Sequence, residues 1–153
     1  MRPAGPTGGH AGLVSTHPGP SRESFTFTPE QGVPPGVAPF SHVTRWGSLL
    51  FVTGQMPTSP DDGALVAGGV VEQAEQVRRN LLACLAPFGA TLDDALMVRV
   101  YLTEFDADFA AFNEVYRGWL TGPLPSRTCV GTNGLAAGAC IEIDLVVGVP
   151  GTA

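Results

Sequence analysis

Two stretches near the C-terminal end carry the residue types that can do chemistry. In Arg127-Thr128-Cys129-Val130, strand alternation puts Arg127 and Cys129 on one face. In Ala139-Cys140-Ile141-Glu142-Ile143-Asp144-Leu145, the apolar set 141, 143, 145 takes one face, and Cys140, Glu142 and Asp144 take the other. An Arg is suited to bidentate capture of a carboxylate. A carboxylate nearby can orient or deprotonate a water. If the two stretches form a hairpin, Arg127 and Glu142 share a face on adjacent strands. The register is not fixed by the sequence, and an Arg–Glu ion pair serving a subunit interface is the competing reading of the same residues.

The other chemistry-bearing residues point nowhere in particular. His10, His17 and His42 have no partner spacing for a metal, and no metal site is expected. The odd set of three cysteines, Cys84, Cys129 and Cys140, has no CxxC spacing, which argues against a disulfide framework or a zinc site and for a reducing, cytoplasmic setting.

The elements that must position Arg127 and Glu142 can be read from periodicity. The 153 residues fit one domain. Residues 1–22, rich in Gly, Pro, Ser and Thr, read as a disordered arm, and 23–150 as the folded domain. Ser24 to Thr28 alternates like a short strand. Ser41 to Arg45 and Leu49 to Thr53 flank a tight turn at Gly47-Ser48, and Pro57 takes the chain out of the sheet. Gly69 to Phe88 has a helical stripe of Val70, Ala74, Val77, Leu81, Cys84, Leu85 and Phe88. Leu92 to Leu102 contains a strand with Leu96, Val98, Val100 and Leu102 on one face and Met97, Arg99 and Tyr101 on the other. Asp106 to Leu120 is a second helix packing through Phe109, Phe112, Val115, Tyr116 and Trp119. Ser126 to Thr132 and Ala139 to Val147 close the domain, turned by Asn133-Gly134 and Gly138.

This order predicts an α+β sandwich, a mixed six-stranded sheet with both helices on one face. The other face is expected to carry Met97, Arg99, Tyr101, Arg127, Cys129, Cys140 and Glu142. That mixture suits packing against another subunit better than it suits water or a core, so an oligomer with polar clefts is expected.

Composition excludes some partners. Net charge is −6 and the sequence has no Lys. Nucleic-acid binding, which relies on clustered positive charge, is not expected. No apolar run approaches the roughly 18–20 residues of a membrane span, and no signal-like segment opens the chain.

Four motifs occur in order: Thr53-Gly54-Gln55-Met56-Pro57, Phe109 to Tyr116 in the form F-x-x-x-N-x-x-Y, Pro125-Ser126-Arg127-Thr128-Cys129-Val130, and Ile141-Glu142-Ile143-Asp144. Together they resemble the Rid, or YjgF-type, family of reactive intermediate/imine deaminases, over residues 24 to 149. The resemblance implies a chorismate-mutase-like fold and a homotrimer with three inter-subunit clefts. It implies hydrolysis of 2-aminoacrylate-type enamines and their imine tautomers to 2-oxo acids and ammonia, without a cofactor. It assigns Arg127 to substrate-carboxylate binding, Glu142 to positioning the attacking water, and Cys129 to a backbone contact with substrate. Asn113, Gly54 and Thr53 fall at cleft positions. Phe40 stands where many members have Tyr, so the phenol is lost and substrate preference is expected to differ.

Three other functions stay open at this level: a ribonuclease or translation-inhibitor activity, a non-catalytic small-ligand-binding trimer, and a pathway-specific hydrolase acting on a larger imine.

Overall fold

A computed structural model describes residues 19–149. The arm expected over 1–22 lies outside the described residues except for 19–22, as do His10 and His17. Six strands and two helices follow one another: β1 (Arg22–Phe25), β2 (Val43–Trp46), β3 (Leu49–Gln55), α1 (Val70–Leu85), β4 (Ala95–Leu102), α2 (Phe105–Arg117), β5 (Ser126–Gly131) and β6 (Ile141–Gly148).

The strands form one sheet in the order β1-β2-β3-β6-β4-β5. The β4–β5 pair is parallel and the other pairs are antiparallel. Both helices pack on one face. This is the expected α+β sandwich with a mixed six-stranded sheet.

The core lies between the helices and that sheet face. Ala74, Val77, Leu81 and Leu85 from α1 and Phe112 from α2 meet Val98 and Val100 of β4 and Ile141, Ile143, Leu145 and Val147 of β6. β6 alternates buried and half-buried along its whole length, which explains its place in the middle of the sheet. Helix α1 stops where Pro87 enters the chain and Gly89 adopts φ 64°, the left-handed region that glycine tolerates. Gly47, with φ 59°, makes the β2–β3 turn.

Two expectations fail here. β5 and β6 are not a hairpin: β4 lies between them. Helix α2 carries the chain from β4 to β5, and a crossover of this kind returns the strand parallel to its predecessor, leaving β6 to enter between β3 and β4. Leu96 does not share the inner face of β4. The ladder slips between Ala95 and Met97, so Ala95 points inward and Leu96 stays 52% exposed.

Candidate functional site

The slip in topology changes where the site residues stand. Arg127 pairs with Val98, and Val98 pairs with Leu145; both partners are buried under the helices. Cys129 pairs with Val100, which pairs with the buried Ile143. Residues directly opposite each other in a ladder share a face, so Arg127 and Cys129 belong to the helix side. Glu142 pairs with Tyr101 and alternates with the buried Ile141 and Ile143, so it belongs to the open side. The expectation that Arg127 and Glu142 share a face is therefore corrected: within one chain they lie on opposite faces of the sheet. Arg127 and Cys129 also leave the group assigned to the uncovered face. Cys140 leaves it too, since it precedes β6 and its Sγ donates to Gln73 Oε1 of α1 at 3.0 Å. Met97, Arg99, Tyr101 and Glu142 remain there.

On the helix side, Arg127 is held by α2. Its Nη2 donates to Asn113 Oδ1 at 2.8 Å. Its guanidinium carbon sits 4.9 Å from the Tyr116 ring centre and 5.8 Å from that of Phe112, both within cation–π range. Asn113 and Tyr116 lie three residues apart on α2 and so face the same way. Among the described residues, Arg127 has no carboxylate within ion-pair distance. Five guanidinium N–H groups minus the Asn113 bond leave donors free for an incoming carboxylate. They open onto a shallow cavity of about 330 Å³ lined also by Leu124 and Pro125. Cys129, two residues along β5, is half-buried, and burial pushes its thiol pKa up. That places it poorly for thiolate chemistry and leaves its backbone as the group on offer.

At the end of β3 and the start of β6 stands the second half. Glu142 lies against Gly54: a Cβ built on Gly54 would meet the Glu142 side chain, coming within 2.9 Å of its Cδ. Only glycine permits this approach. Burial, and then the charge of Asp144, push the Glu142 carboxyl above its ordinary value. Asp144 itself is engaged: Arg99 Nε donates to it at 2.7 Å and Tyr101 Oη at 3.2 Å. Glu142 and Gly54 open onto a cavity of about 220 Å³ that Phe40 also lines. Thr53 lies beside this cavity, with Phe51, Arg99 and Asp144, and its N–H donates to His42 O.

Buried polar side chains, unremarkable in the sequence, hold the walls of this second cavity. The Phe27 N–H donates to His42 Nδ1 at 2.9 Å. That fixes the proton on Nε2, which donates to Pro34 O at 3.2 Å and anchors the 34–40 segment. Asn80 Nδ2 on α1 donates to Met56 O and Thr58 O, both at 2.9 Å, and anchors the chain leaving β3. The Cys140 N–H donates to Gln73 Oε1 at 2.8 Å and anchors the approach to β6. His42, Gln73 and Asn80 are each 5% exposed or less. Apolar periodicity reads such residues as surface, so only the structure reveals them.

The structure thus groups Arg127, Asn113 and Cys129 in one place and Glu142, Gly54, Phe40 and Thr53 in another. Arg127 and Glu142 line two different cavities. The described residues include no group of three His, Cys, Asp or Glu side chains that could hold a metal, and no helix long and apolar enough to cross a membrane.

Comparison with known proteins adds the following. Residues 31–149 match the family model described as Endoribonuclease L-PSP. A RutC family protein, y4sK, of Sinorhizobium fredii is 40% identical over 114 residues, which is 74% of this chain and 90% of that protein. The 2-iminobutanoate/2-iminopropanoate deaminase of Mus musculus is 31% identical over 74% of this chain and 83% of its own length. The crystal structure of E. coli TdcF with bound serine superposes with a TM-score of 0.76 at 27% identity, covering 84% of this chain and all of that one.

Proposed function

Because this chain belongs to the Endoribonuclease L-PSP family, which includes the Rid proteins and deaminases of 2-imino acids, we propose that it hydrolyses 2-imino acids and their enamine tautomers to 2-oxo acids and ammonia, as a cytoplasmic homotrimer. The observation that carries the reading is the division of the site. An Arg with free donors and a raised-pKa carboxylate, each free of the other, sit on opposite faces of one sheet. Each can complete a site only with the complementary half of a second chain. β5 is a free sheet edge, and the uncovered face presents Trp46, Phe51, Leu96 and Val130, each at least 42% exposed, for burial between subunits.

In such a cleft, Arg127 binds the substrate carboxylate through its free N–H groups while Asn113 and the Tyr116 ring hold the guanidinium in register. Glu142 of the neighbouring chain takes a proton from water, and the water oxygen adds to C2 of the protonated imine. Glu142 returns the proton to the nitrogen of the resulting amino alcohol, the C–N bond breaks, and the hydroxyl proton passes to the departing ammonia. The products are the 2-oxo acid and ammonium, with Glu142 returned to its ionised starting state. A carboxyl raised above its ordinary value suits both directions of this transfer. Neither a metal nor an organic cofactor is required. TdcF with bound serine supports an amino-acid-like ligand for this fold. RNA cleavage finds less support in a chain of net charge −6 without Lys.

The test is competition with semicarbazide for imines released by an amino-acid oxidase. Wild type should lower semicarbazone formation and Arg127→Ala should not. Semicarbazone formation unchanged by wild type with every imine tried contradicts the reading.

A further inference from the structure

We infer that the cavity beside Glu142 is a side-chain pocket selecting 2-imino acids with bulky, uncharged, apolar side chains, an inference that rests on the deaminase reading above. The cavity, about 220 Å³, is several times the ~30 Å³ that one water occupies and that a methyl group roughly matches. Its apolar walls include Pro34, Pro35, Val37, Phe40, Met56 and Ala136. Val37 and Phe40 are 75% and 40% exposed in the chain, apolar surface that gains by being covered.

Two polar side chains in the same walls, His42 and Gln55, hold bonds within the protein, and the groups left over, the Thr58 hydroxyl and Gln55 Oε1, carry no positive charge. Both ring nitrogens of His42 are engaged, to the Phe27 N–H and to Pro34 O. Gln55 Nε2 donates to Thr53 O. No Arg lines the cavity, and its one acidic group is Glu142. A substrate with a second carboxylate would enter an apolar box uncompensated and facing another carboxylate, which is costly. A methyl side chain would leave the box largely empty. A branched aliphatic or aromatic side chain fills it without needing a partner.

The preference also constrains the reaction that supplies the substrate. β-Elimination from hydroxy or thiol amino acids removes the side-chain heteroatom and leaves imines bearing only a methyl or ethyl group. An imine that keeps a large apolar side chain arises by two-electron oxidation of the intact amino acid at Cα–N. The supplier is therefore of the amino-acid-oxidising class.

The experiment generates imines from leucine, phenylalanine, alanine and glutamate with a broad-range L-amino-acid oxidase and catalase, and measures kcat/KM by semicarbazide competition. The leucine- and phenylalanine-derived imines should exceed the alanine- and glutamate-derived ones by at least about tenfold, the range a hydrophobic pocket provides. Equal or faster turnover of the alanine- or glutamate-derived imine overturns the inference. Calorimetric titration with the products separates this from failure of the deaminase reading. 2-Oxo-4-methylpentanoate should bind at least about tenfold tighter than pyruvate or 2-oxoglutarate, and Ala136→Trp or Val37→Asp should erase that advantage. If no imine is turned over, that ordering of Kd values still sustains the pocket. Equal Kd values, or an advantage that survives both substitutions, overturn it.

Discussion

Glu142 rests on the backbone of Gly54, so that the end of β3 and the start of β6 meet through a carboxylate with no side chain between them. The atoms a Cβ at Gly54 would strike all belong to the Glu142 side chain, which is free to swing away. Gly54→Ala should therefore leave the fold intact, with a stability cost of no more than about 1 kcal/mol by thermal unfolding, while misplacing the proton-transfer group. Deamination should fall by roughly 10²–10⁴-fold, the range a positioned acid or base supplies. Glu142→Gln should show a similar loss, and the double variant should be little worse than either one. An active Gly54→Ala protein would remove Glu142 from the chemistry.

Arg127 is seated by three contacts at once: the Asn113 oxygen and the faces of Phe112 and Tyr116. Lysine keeps the charge but has neither the planar fork nor the stacking surface. Arg127→Lys should lose about 2 kcal/mol or more in kcat/KM, roughly 30-fold. Asn113→Ala should lose less, because it frees the guanidinium without removing it. Steady-state kinetics on one imine series distinguish the two.

Burial, then the charge of Asp144, raise the Glu142 pKa. As a base it works ionised, so kcat/KM should fall as pH drops through a value above the ordinary carboxylate range. Removing Asp144 by Asp144→Asn should move this acid limb to lower pH, since a neighbouring negative charge is lost. A limb at or below the ordinary carboxylate value in wild type would contradict the assignment. For stability the sign is opposite to that of a paired carboxylate. The folded form holds its proton to higher pH than the unfolded form, so folding loses stability as pH rises from the unfolded to the folded value.

His42 behaves as the reverse case. Burial lowers its pKa, outweighing the bond to Pro34 O, and its Nδ1 must stay unprotonated to accept the Phe27 N–H. Its stabilising contribution is present above the unfolded value of about 6.5 and is lost as pH falls through the lower folded value. Thermal midpoints should therefore drop in mildly acidic buffer, and His42→Gln should be less stable at pH 8 but show a flatter pH profile over that range. An unchanged slope in the variant would count against His42 as the titrating group.

The helices were legible because their apolar stripes recur at three and four residues, and β6 because Ile141, Ile143, Leu145 and Val147 alternate without a break. β5 was not. Its inward residues Arg127 and Cys129 are no more apolar than its outward Thr128 and Val130, so nothing in the strand says which face is which. Asn133-Gly134 reads as a hairpin turn, and only the β4–α2–β5 crossover places β6 elsewhere. Leu96 reads as an inward residue because a bulge shifts the alternation without leaving a mark in the residue types. The motifs name the candidate site residues. They do not show the division of those residues between two faces, because it depends on strand order.

That division is the centre of the account, and subunit mixing tests it most directly. Arg127→Ala and Glu142→Gln are each expected to be inactive alone. If a working cleft takes Arg127 from one chain and Glu142 from another, every mixed trimer holds one intact cleft of three and regains about a third of wild-type deamination, or about a quarter over a random assembly that still includes the homotrimers. Co-expression of the two variants with distinct affinity tags, followed by semicarbazide competition, measures this. Recovery near that level is the predicted result, and no recovery in verified mixed trimers would contradict a site divided between chains.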